Sequence, residues 1–136
     1  MSTTSRETRE GHDMRYMGFV QMDPTKDVDP PEALMKAMEE HIAKAVAAGV
    51  FLDGGGLDGG QECTEVRLAG GKVTTTDGPY AEAKEIVGGY SVLEFRDHAE
   101  AVEEARRLVE LHQQHWPGWE GSVVVRRIWD APPPQA

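Results

Sequence analysis

The chain is 136 residues long, with 24 acidic side chains against 14 basic ones and a formal net charge of −10. That length fits one domain with a modest core, and so acidic a surface excludes the basic face that nucleic acid or an anionic membrane requires. Cys63 is alone, so no intrachain disulfide is available, and no apolar run approaches the ~20 residues of a membrane span; the expected setting is cytoplasmic.

Residues 1–13 carry no apolar side chain beyond Met1 and lack the apolar core of a signal peptide, so they read as a disordered extension. The domain is expected over 14–131, and the prolines at 132–134 begin an extended tail. Residues 14–22 form the first strand, with Tyr16, Gly18, Val20 and Met22 on one side and Met17 and Phe19 on the other. Asp29-Pro30-Pro31-Glu32 predicts a helix start, with Asp29 as N-cap and Pro30 at the first helical position. Gly49 predicts its end. Leu34, Met38, Ile42, Ala45 and Val46 make its buried stripe, and His41 lies at the edge of that stripe.

A short apolar stretch then breaks into the glycines of 54–60. Gly54, Gly56 and Gly59 satisfy G-x-G-x-x-G in spacing, but the residues that follow alternate like a strand, where a dinucleotide site needs a helix to open. The glycines are expected to permit a bulge, a bend or a close approach instead. Residues 62–68 and 72–76 read as a hairpin turning at Gly70-Gly71. Residues 86–96 predict a long central strand, and Asp97 with Glu100 predicts a capped second helix to about His112. Its stripe is expected to hold Ala101, Val102, Ala105, Leu108, Val109 and His112. His112 and His115 have a spacing that could share a metal, but no third ligand is near in sequence and no metal site is expected. A last strand covers 121–129.

Between the hairpin and the central strand runs Asp77-Gly78-Pro79-Tyr80-Ala81-Glu82-Ala83-Lys84-Glu85. Gly78-Pro79 fixes a turn, and Asp77 is suited to bond to the backbone of its own turn. This stretch either connects two strands or delivers side chains to a pocket. In the second reading His41 and Asp77 form an acid–base pair. Asp77 holds the imidazole in one tautomer, Tyr80 walls the site, and Lys84 and Glu85 stand near its mouth. In the first, Asp77 only caps its turn and His41 bonds to a backbone carbonyl.

Asp77-Gly78-Pro79-Tyr80 with Glu82, Lys84-Glu85 and Gly88-Gly89 resembles the signature of the DGPF proteins, a branch of the YCII-related family. Tyr80 stands where that family's name records Phe, and Ala83 where Thr is common. The similarity extends from about Met14 to Asp130.

Setting the hairpin aside, the element order is βαββαβ, a ferredoxin-like plan. Its two helices cover one sheet face, and the strands look apolar on both. The expected cover is a second copy, giving a homodimer built as a dimeric α/β barrel, which the resemblance also implies. There is no G-x-S-x-G elbow, no H-E-x-x-H and no cysteine pair. Two functions stay open. One is a small-molecule-binding homodimer with cofactor-independent His41/Asp77 proton transfer. The other is a non-catalytic regulatory module; family members joined to sigma-factor-like regions imply a sigma-factor-type protein partner in transcription initiation.

Overall fold

The computed structural model describes residues 14–23, 29–58, 62–78 and 86–129. The expectations for the N-terminal extension, the proline-rich tail, Tyr80, Lys84 and Glu85 lie outside these residues.

In chain order the elements are β1 (Met14–Met22), α1 (Glu32–Ala47), β2 (Phe51–Gly56), β3 (Thr64–Ala69), β4 (Lys72–Asp77), β5 (Ile86–Phe95), α2 (His98–His115) and β6 (Gly121–Ile128). Four strands form one sheet in the order β2-β5-β1-β6, and β3 pairs with β4 as a separate ribbon. Every pairing in the sheet is antiparallel. The result is an α+β fold.

Both helices lie against the sheet face that carries Tyr16, Gly18 and Leu93. The core sits there: Tyr16, Leu34, Leu93, Ala101, Ala105 and Leu108 are all buried. Helix α2 is buried along Ala101, Ala105, Leu108 and His112, spaced four, three and four residues apart as one face of a helix requires. Asp97 caps it, accepting a hydrogen bond from the Glu100 amide at 3.0 Å. Glu100 returns the bond to the amide of Arg96 at 2.8 Å, one residue earlier than a regular capping box.

Helix α1 starts later than the sequence suggests. Its N-cap is Pro31, in extended geometry at φ −60° and ψ 148°, with no side-chain cap. The reason is local. Pro31 disfavours helical geometry at the residue before it, so Pro30 cannot open the helix and Asp29 is too far out to cap it. The helix ends as expected, with Gly49 at φ +76° donating to the Val46 carbonyl.

The first glycines of the stretch belong to a strand and not to a phosphate loop. Gly54, Gly55 and Gly56 are strand residues of β2, paired with Ser91, Tyr90 and Gly89. A register shift between Phe51 and Asp53 leads into them.

The expected ferredoxin-like plan closing with a second copy into a dimeric α/β barrel is corrected here. The sheet is open: β2 and β6 each have a strand on one side only. The premise also fails in part, because the face away from the helices is not continuously apolar. Register places Arg15 opposite Glu94 and Met17 opposite Arg126 on that face, beside Phe19 and Val124.

The β3–β4 ribbon turns through Gly70 and Gly71, both at positive φ (58° and 75°), as a tight hairpin turn demands. Val66, Leu68 and Val73 share one of its faces and are 66%, 71% and 65% exposed. No helix among the described residues is long and apolar enough to cross a membrane.

Candidate functional site

A cleft of about 500 Å³ opens between the helices and the sheet, within the range of about 300–1,000 Å³ of small-molecule sites. It exists because of what the sheet lacks. At one level across three strands the inward positions are Gly18, Ser91 and Gly54; at the next they are Val20, Gly89 and Gly56. A side chain at Gly56 would have room to project, whereas at Gly18 and Gly54 it would meet Ser91 and Phe51. The opposite wall is helical, from Leu34, Met38 and Ile42 of α1 and Leu108 of α2. Phe51 and Trp116 also line the cleft.

Into this apolar space project two imidazoles, a carboxylate and a hydroxyl: His41, His112, Glu104 and Ser91. His41 Nε2 lies 2.6 Å from Glu104 Oε2, joining α1 to α2. Both side chains are largely shielded, at 17% and 13% exposure. A carboxylate only accepts, so Nε2 donates and Nδ1 is the ring's acceptor nitrogen in the neutral form. A hydrogen bond of this charge-assisted kind is shorter and stronger than a neutral one. It also fixes the ring's orientation, which a proton-transferring group needs.

His112 is held differently. Its Nδ1 donates to the Leu108 carbonyl at 2.8 Å, one helical turn back. Its ring stacks on Trp119 with centroids 4.3 Å apart. Trp119 is seated by packing: a side chain at Gly121 would collide with its ring. The indole nitrogen of Trp119 is buried without a hydrogen-bond partner among the described residues. No group of three or more His, Cys, Asp or Glu side chains that could hold a metal occurs among the described residues.

The residues expected to act together separate as follows. His41 is in the cleft. Asp77 ends β4 in an exposed position, where its carboxylate accepts from Thr64 Oγ1 at 3.0 Å and closes the base of the hairpin. Asp77 does not line the cleft. The carboxylate at His41 is Glu104, which sequence reasoning passed over. A signal was present. Glu104 lies three residues after Ala101 and four before Leu108, at the edge of its helix stripe, as His41 does on its own helix.

A family model described as the YCII-related domain matches residues 14–116 of the chain. No curated protein matches it.

Proposed function

We propose a small-molecule-binding role with proton transfer at His41 for this chain, which belongs to the YCII-related domain family. The observation that carries the proposal is the His41–Glu104 bond at the wall of a mostly apolar cleft. An apolar pocket with a few converging polar groups is the ordinary form of a small-molecule site. Within it, His41 takes or gives the proton at Nδ1, while Glu104 holds Nε2 and stabilises the imidazolium formed in transit. The Asp77-Gly78-Pro79-Tyr80 signature supports assignment to the DGPF branch. The apolar face of the exposed hairpin supports association of two copies into a homodimer.

The test uses the tryptophan already at the site. Compounds that raise the melting temperature in a small-molecule screen should also change the intrinsic fluorescence, and Trp116→Phe should remove that change. His41→Gln keeps a donor toward Glu104 but cannot shuttle a proton. It should keep the melting temperature within about a degree or two, because little packing is lost, and abolish any turnover of a screened compound. Hits that are indifferent to both substitutions would place binding elsewhere and overturn the proposal.

A further inference from the structure

The shape and charge of the cleft specify more than that something small binds. Its sheet wall leaves bare backbone at Gly18, Gly54, Gly56 and Gly89, between the side chains of Val20, Phe51, Ser91 and Leu93. The added side-chain atom at Gly56 would have its nearest neighbour 4.0 Å away, so the emptiness there is not forced by packing. Gly54 differs, since a side chain there would strike Phe51 and the Tyr90 carbonyl. The bare backbone at these glycines gives a flat patch that complements a flat ligand. The facing wall contains Met38 beside Leu34 and Ile42, and methionine adapts its shape to what lies against it.

The polar groups fix the ligand's charge class. Among the described residues lining the cleft there is no lysine or arginine, and the one acidic side chain is that of Glu104. The hydroxyl of Ser91 sits 2.9 Å from the point where a Gly18 side chain would begin, which aims it along the floor. A carboxylate or phosphate on the ligand would meet Glu104 with no lysine or arginine among the described lining residues to offset it, in a setting where like charges are poorly screened. An N–H edge or an amine would be accommodated.

We propose that the cleft takes a planar, largely apolar ring compound whose polar edge is neutral or cationic, lying flat on the glycine wall with that edge toward His41 and Glu104. This rests on the binding role proposed above and narrows it.

The experiment titrates the full chain with four probes: quinoline, naphthalen-2-ylmethylamine, 2-naphthoate and dodecylamine. Binding is read by calorimetry and by tryptophan fluorescence. Quinoline and the naphthyl amine are expected to bind, with 2-naphthoate at least about tenfold weaker than the amine, as about 1.4 kcal/mol of charge preference implies. Glu104→Gln should bring the amine and the carboxylate to within about threefold of each other. Gly56→Val should weaken the ring probes by about tenfold or more while the fold persists; Gly56→Ala provides the milder step should valine disturb the strand. Tighter binding of 2-naphthoate, or of dodecylamine over both rings, with sensitivity to Gly56→Val retained, overturns the ligand class and leaves the cleft as the site. Ring probes that bind the glycine variants unchanged, or no binding by any probe, overturn the placement in the cleft itself.

Discussion

His41 and Glu104 stand 63 positions apart and meet through the packing of two helices. That distance explains what was and was not legible. A histidine at the rim of an apolar stripe is conspicuous, and His41 stood out for that reason. A glutamate on a helix is ordinary, and Glu104 became notable only when α1 and α2 were placed side by side. Asp77 was singled out for the Gly-Pro pair after it, and its carboxylate accepts from Thr64 across the base of the hairpin. The His41–Glu104 contact should be measurable as a coupling. A double-mutant cycle with His41→Leu and Glu104→Leu should return about 1–3 kcal/mol, the span for hydrogen bonds to a charged group in a shielded place. Urea melts of the four proteins give the value; a coupling below about 0.3 kcal/mol would show the two side chains acting independently.

At the level of elements, local chemistry in the sequence decided most of the boundaries. Gly70-Gly71 and Gly49 adopt the positive φ that their turn and helix end require. Asp97 caps α2 as its spacing to Glu100 implied. Helix α1 went otherwise because two rules competed at 29–32. The capping pattern favoured Asp29, but consecutive prolines forbid Pro30 a helical conformation, and the steric rule prevails. The two helices therefore enter unequally. Asp97→Ala should lower stability by about 1 kcal/mol, within the range for a lost N-cap. Asp29→Ala should change it by less than about 0.5 kcal/mol, as for a surface side chain outside the helix. Thermal or chemical denaturation of both variants checks this, and equal losses would mean that Asp29 does cap α1. The glycines of β2 were harder to place from sequence. Their role comes from facing Ser91 and Gly89 of β5, a pairing that only register reveals.

For the whole molecule, the sheet's second face misled sequence reasoning because alternation was read without register. Met17 and Phe19 look like a buried stripe until Arg126 and the Arg15–Glu94 pair are placed among them. The larger uncovered apolar surface is on the hairpin, with Leu68 and Val73 directly opposite each other and Val66 on the same face. A two-stranded ribbon is marginal alone in water, and three exposed aliphatic side chains on it favour a contact that removes them from solvent. In the homodimer proposed above, one hairpin face meeting its own copy is self-complementary, as a twofold contact must be. Gel filtration with light scattering should give a dimer mass at micromolar concentration. Leu68→Lys puts a charge at the centre of that face, and two lysines would oppose each other across the twofold, so the variant should elute as a monomer. Its fold should remain intact by circular dichroism, because Leu68 is 71% exposed. Wild-type protein that runs as a monomer would exclude the dimer, and a Leu68→Lys variant that stays dimeric would move the contact away from the hairpin.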